Sequence, residues 1–195
     1  VYLHKTVLSA DKLLRHIFNR VRELITEGKK LYHASPALQY FLENRPSAKK
    51  GIKGEVLQKY LQLDDNDVFQ SIKYWQYSSD PVLSNLCKRF QSRKLFRTTF
   101  LDQNPSGSVK KNVLTKTQKV LKKRGLPYDE KIANYYFAFD ESYSEAYQYE
   151  KEGIWILEEK DNAIEFSKAA DTKNIIALTE PVVKPYVVHL GDIEI

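Results

Sequence analysis

Apolar residues recur at helical spacing as far as Gly125 and in short β-branched and aromatic runs beyond it, and no other feature of the chain constrains its fold as tightly. Between Thr6 and Lys30, Leu14, Ile17, Phe18, Val21, Leu24 and Ile25 fall three and four apart, which predicts one long amphipathic helix ended by Gly28. Ser35 and Pro36 have the chemistry of a cap and a first helical residue, predicting a shorter helix to Glu43. "NRPSAKKGIKG" combines proline, glycine and cations and reads as an exposed loop, with "GEVLQKYLQL" a brief helix after it. Asp64 or Asp65 then caps a helix with an expected buried stripe at Val68, Phe69, Ile72 and Trp75. Asp80 with Pro81 opens another that buries Leu83, Leu86, Cys87 and Phe90, and a further helix is predicted from about Val113. After Gly125, "IANYYFAFD", "GIWILEE", "NAIEFS", "NIIALT" and "KPYVVHL" read as strands. The expected fold is mainly α with a smaller α+β C-terminal portion, a helical region over residues 1–100 and an α+β subdomain over 101–195.

With 195 residues, 42% of them hydrophobic, the chain is long enough for one sizeable core or two small ones. The single cysteine, Cys87, excludes an internal disulfide and multi-cysteine zinc sites, and fits a reducing compartment. No run approaches the roughly 18 apolar residues that span a bilayer, so the expectation is a soluble cytoplasmic protein without a membrane partner. A chain that begins at Val1 and holds no methionine reads as a piece of a longer product. The seven glycines never fall at the spacing of a phosphate loop, and the histidines form neither a His-Asp pair nor His-x-x-x-His. Asp64/Asp65 and Glu158/Glu159 read as a helix cap and a strand-end turn, and His16, His33 and His189 as surface or boundary residues. No catalytic residue and no metal ligand is assigned, which points to a binding or regulatory part.

Charge divides at the same place as hydrophobic period. Residues 1–125 carry 25 Lys/Arg against 10 Asp/Glu, and residues 126–195 carry 6 against 15. The first portion is suited to an anion, whether nucleic acid, nucleotide phosphate or an acidic partner; a solvated basic surface beside an acidic one is the plainer reading. Basic residues crowd one helix end in "DPVLSNLCKRFQSRKLF", where Arg93 and Lys94 are followed by Arg97. A helix C-terminus favours one or two cations through its dipole, fewer than are present. A nucleic-acid-binding domain, with pI about 9.1 and the basic loop at 49–53, and a purely structural oligomerisation module are both open readings. Core packing accounts for Phe69 and Trp75 better than base stacking does.

"VYLHKTV" together with "DDNDVFQSIKYWQYSSDPVLSNLCKRFQSRKLF" carries a resemblance. The order is Tyr-x-His-Lys at the start of a long helix, an Asp-Asp cap, a helix with an aromatic end, a Ser-Asp-Pro-x-Leu helix and an Arg-x-Leu-Phe exit. It resembles the C-terminal half of the HD-domain phosphohydrolases of the deoxynucleotide triphosphohydrolase group, closely over residues 1 to about 100 and only in texture afterwards. The resemblance implies the helical half of an HD-type hydrolase followed by a short-stranded sheet region. It implies a parent enzyme that splits a deoxynucleoside triphosphate into nucleoside and triphosphate, with a divalent metal such as Mn or Mg on two histidines and two aspartates that this chain lacks. No cofactor is then expected on this chain, which alone should be inactive.

Residue by residue, Tyr2 matches a tyrosine that packs on the substrate sugar, and His4 and Lys5 match residues that reach nucleotide phosphates. Capping and packing of the first helix is the alternative role for Tyr2 and His4. Arg93 matches the arginine that contacts an activating nucleotide between subunits, with Lys94 and Arg97 beside it. Those two cations make the patch more basic than one nucleotide requires. The implied partners are nucleoside triphosphates, the missing N-terminal HD half and further copies of the chain in a homo-oligomer, with nucleic acid as the alternative partner.

Overall fold

A computed structural model describes residues 4–30, 33–47, 52–144, 154–157, 163–166 and 182–195. It is mainly α with a small sheet region toward the C-terminal end, and capping chemistry sets most of the helix starts. α1 (Lys5–Thr26) begins at His4, whose ring nitrogen accepts from the Thr6 N–H, and ends before Gly28 at φ +78°. α2 (Pro36–Glu43) is capped by Ser35, whose hydroxyl accepts from the Leu38 N–H at 3.1 Å. α3 (Gly54–Leu61) has no side-chain cap and buries none of its residues. α4 (Asp65–Trp75) opens on a reciprocal capping box, in which the Asp64 carboxylate accepts from Asp67 N–H at 3.1 Å and the Asp67 carboxylate from Asp64 N–H at 2.9 Å. α5 (Pro81–Gln91) is capped by Asp80, which accepts from Leu83 N–H at 2.8 Å.

β1 (Arg97–Phe100) follows, then α6 (Gly107–Lys123), which starts at Ser106, well upstream of the predicted Val113. The stretch read as a first strand from Ile132 divides. Asp129 accepts from the Ile132 N–H at 3.0 Å and caps the short α7 (Glu130–Ala133), and only Ala138–Ser144 is strand, β2. β3 (Trp155–Leu157) pairs antiparallel with β4 (Ala163–Glu165), Ile156 opposite Ile164. β5 (Val182–His189) is the central strand of a sheet in the order β1-β5-β2. The predicted strand "NIIALT" lies outside the described residues.

The chain forms two compact units, one of Val1–Thr99, Ser106–Ala138 and Val188–Ile195, the other of Phe100–Pro105 and Phe139–Val187. In the first, α1 packs on α5 and α5 on α4. Leu13, Ile17, Val21 and Leu24 of α1 meet a core that includes Ile72, Trp75, Leu83, Leu86 and Cys87, all at most 2% exposed. Full burial of each large aliphatic side chain is worth about 1.5–3 kcal/mol. Phe18 adds an edge-to-face contact with Trp75 at 6.0 Å. Phe69, expected in the α4 stripe, is 47% exposed, with its ring tilted against Phe90 at 6.2 Å. In the second unit Leu101 N–H donates to Pro185 O at 2.9 Å, Ser142 Oγ to Lys184 O at 3.0 Å, and Phe100 meets the Tyr186 ring edge-on. No described helix is long and apolar enough to cross a membrane.

Candidate functional site

The helix that carries the basic exit ends in an unusual way. Arg93 N–H donates to Phe90 O at 3.2 Å and Lys94 N–H to Arg89 O at 2.9 Å, the paired bonds of a Schellman turn with Ser92 as C-cap. That turn requires a left-handed residue, and Arg93 supplies it at φ +55°. α1 and α6 end in the same conformation, with Gly28 at φ +78° and Gly125 at φ +68°. Where two helices use glycine, this one holds an arginine against a steric cost, and strain of this kind is characteristic of positions kept for a side chain's chemistry. Arg93, Lys94 and Arg97 are all exposed.

Backbone atoms of the next residues are tied down one after another. Arg89 Nη2 donates to Leu95 O at 3.4 Å and its guanidinium lies 5.4 Å over the Phe96 ring. Ser9 Oγ donates to Phe96 O at 2.6 Å, and Thr98 Oγ1 donates to Lys5 O at 2.9 Å. The exit is therefore stapled to the first turn of α1, and the segment bearing Lys94 and Arg97 runs beside the segment bearing His4 and Lys5. His4 and Lys5 are exposed. Because His4 Nδ1 accepts from Thr6 N–H at 3.3 Å, Nε2–H is the donor left for another group. Tyr2 lies outside the described residues.

A buried ion cluster locks α1 to α5. Arg20, 7% exposed, grips Asp80 with both arms of its fork, Nε to Oδ1 at 3.1 Å and Nη2 to Oδ2 at 2.6 Å, and also donates to Glu23. Glu23 accepts in addition from Tyr135 OH at 2.7 Å and pairs with Lys131. Hydrogen bonds donated to Asp80 raise the Arg20 pKa above its ordinary value, outweighing burial. Burial pushes Glu23 up, but hydrogen bonds from Lys131, Tyr135 and Arg20 together hold it down at about 2. Asp80 is likewise lowered, burial opposing and the Arg20 bonds prevailing. The sequence reading made Asp80 a cap and gave Arg20 no role. A charged residue between Ile17 and Leu24 on an otherwise apolar face was the available signal.

Other polar groups sit close to the exit. His16 packs edge-on against Phe96 and Tyr135, each with ring centroids 6.1 Å apart, and its Nε2 is buried without a hydrogen-bond partner. Burial and then the Lys12 ammonium push its pKa down to about 4, so it is neutral at pH 7. His189, expected at a surface or boundary, is buried at 1% exposure. There Nδ1 is 2.8 Å from Leu190 O and Nε2 3.1 Å from Thr99 Oγ1. Cys87 is buried and burial raises its thiol to about 12, which leaves it inert at neutral pH. Among the described residues no group of three or more His, Cys, Asp or Glu could hold a metal ion, so no described side chain is given that role.

The sequence is 29% identical over 106 residues to YwfO of Bacillus subtilis (strain 168), a protein described as uncharacterized, a match that covers 54% of this chain and 22% of YwfO. The fold is similar to the crystal structure of a phosphohydrolase from Bacteroides thetaiotaomicron VPI-5482, with a TM-score of 0.80 and 27% identity. That likeness covers 97% of this chain and 46% of the Bacteroides chain, so this chain spans less than half of the length of either protein. No family model matches the chain. The architecture described above is that of a phosphohydrolase-like fold.

Proposed function

We propose that the chain is the C-terminal substrate-pocket, regulatory and oligomerisation part of a metal-dependent HD phosphohydrolase acting on (deoxy)nucleoside triphosphates. The observation that carries this reading is the staple between the basic exit and the start of α1, which joins the two segments expected to meet nucleotide phosphates. A strained, exposed Arg93 fits it, since a guanidinium fork takes two phosphate oxygens at once where an ammonium takes one. Likeness to a phosphohydrolase supports the hydrolytic class. Lys5 and the Nε2–H of His4 supply a positive charge and a donor to substrate phosphate or sugar oxygens. The divalent metal and its ligands belong to the N-terminal half in this proposal. The overall reaction adds water across the phosphoester bond between the α-phosphorus and the sugar 5′-oxygen, releasing deoxynucleoside with its 5′-hydroxyl and inorganic triphosphate.

The test compares this chain with the same chain extended upstream, assaying triphosphate release from mixed deoxynucleoside triphosphates with Mn²⁺ or Mg²⁺. Release by the extended protein alone is expected. In that protein Arg93→Ala should weaken activation by added nucleotide while the fold stays intact. Absence of hydrolysis by both proteins overturns the reading, and undiminished activation in Arg93→Ala removes the role given to the exit.

A further inference from the structure

We propose that a cavity walled by α1, α2, α3 and the residues after α2 binds a phosphorylated small molecule with a flat aromatic body. Its volume is ≈ 480 Å³, within the range of about 300–1,000 Å³ usual for small-molecule sites. Phe41 and Tyr60 contribute aromatic walls, Val56 an aliphatic one, and Arg22, Asn44 and Arg45 the polar groups.

Three observations make this wall more than a surface dent. Arg22 Nε is buried and has no hydrogen-bond partner, a costly state for a cationic donor unless something supplies the acceptor. Among the described residues neither Arg22 nor Arg45 is paired with a carboxylate, so the cavity wall carries two uncompensated positive charges. Tyr60, which lines the cavity, is 54% exposed on a helix that buries none of its residues. Two guanidiniums match the charge of a phosphate monoester dianion, and their forks match its oxygens. Asn44 offers both a donor and an acceptor, and the aromatic and aliphatic walls suit a flat apolar body. Its volume suits one such molecule. It lies apart from the exit, which is built from α5 and β1.

Isothermal titration of this chain with phenyl phosphate, a nucleoside 5′-monophosphate and inorganic phosphate tests the proposal. Saturable binding of at least one aromatic phosphate is expected, with inorganic phosphate weaker. Which aromatic ligand binds more tightly tells a nucleotide from another aryl phosphate. Arg22→Gln and Arg45→Gln should each weaken binding about tenfold or more, the effect of losing one charge-assisted contact. Val56→Trp should abolish it by filling the cavity from a helix with no buried residue to disturb, its unchanged circular dichroism showing an intact fold. The proposal is overturned by the absence of saturable heat at millimolar ligand, by inorganic phosphate binding as tightly as the aromatic phosphates, or by binding that survives Val56→Trp. Binding lost in Arg93→Ala and retained in Arg22→Gln would also overturn it, by assigning the ligand to the exit.

Discussion

Replacing Arg93 by glycine should make the protein more stable. Arg93 sits at φ +55°, where an L-residue pays roughly 1–2 kcal/mol for the close approach of its Cβ to the following carbonyl. Glycine removes that term but loses about 0.4–1 kcal/mol through the greater freedom of its unfolded chain. The exposed side chain has no packing to forfeit, so the net gain is about 0.5–1 kcal/mol, or a rise of about 2–4 °C in Tm per kcal/mol for a protein of this length. Arg93→Ala keeps the strained Cβ and should stay within about 0.5 kcal/mol of the parent. Urea denaturation of the three proteins, fitted with a common slope, measures both differences. A fall in stability of more than about 0.5 kcal/mol in Arg93→Gly would refute the reasoning, because it would mean that the guanidinium holds the fold together. Gain of stability together with lost nucleotide activation in the extended protein would show the residue kept for function against stability.

Arg20→Met should cost about 3–5 kcal/mol in the same denaturation assay, since it leaves Asp80 and Glu23 without the cation that compensates their burial. Stability should also fall on acidification in two stages. Between pH 6.5 and about 4 the unfolded chain binds a proton at His16 that the folded chain refuses, a loss of about 3 kcal/mol that His16→Gln should flatten. Below pH 4.5 and toward 2 the depressed Glu23 is protonated and its contribution disappears, a stage that Glu23→Gln should remove from the stability profile. Tyr136→Phe should stabilise by about 1 kcal/mol, because its hydroxyl is fully buried with no hydrogen-bond partner. A loss of that size on denaturation would instead indicate a bridging water.

Helices α2, α4 and α5 were legible because each announces itself locally, through Ser35, Asp64 and Asp80 at the cap and an apolar stripe behind it, and α1 was legible from its long stripe and Gly28. α7 was not, since four residues are too few to display a helical period and its aromatic, β-branched continuation reads as strand. α6 begins earlier than its apolar pattern because Ser106 caps a first turn rich in lysine and serine. Phe69 has stripe spacing, yet its position lies at the edge of the packed face and spacing alone does not resolve that margin. The site divides in the same way. His4, Lys5, Arg93, Lys94 and Arg97 could be named from order and residue type. Their association rests on bonds between Ser9 and Phe96 and between Lys5 and Thr98, far beyond the reach of any local pattern. The Arg20–Asp80 pair, sixty residues apart, was hidden for the same reason.

Those two staples also set an order of events during folding. Helices α4 and α5 are neighbours in the chain and gain their contacts cheaply, whereas each staple closes a loop of about ninety residues, with separations of 87 and 93. Entropy of loop closure therefore places the docking of the exit on the first turn of α1 among the late steps. A chain arrested before that step would have most of its helices and its far-ultraviolet signature but not its joined basic surface. Under the proposed function, affinity for a phosphate-bearing ligand at the exit would report completed folding, and a ligand bound across the staple would hold the long-range closure in place by mass action.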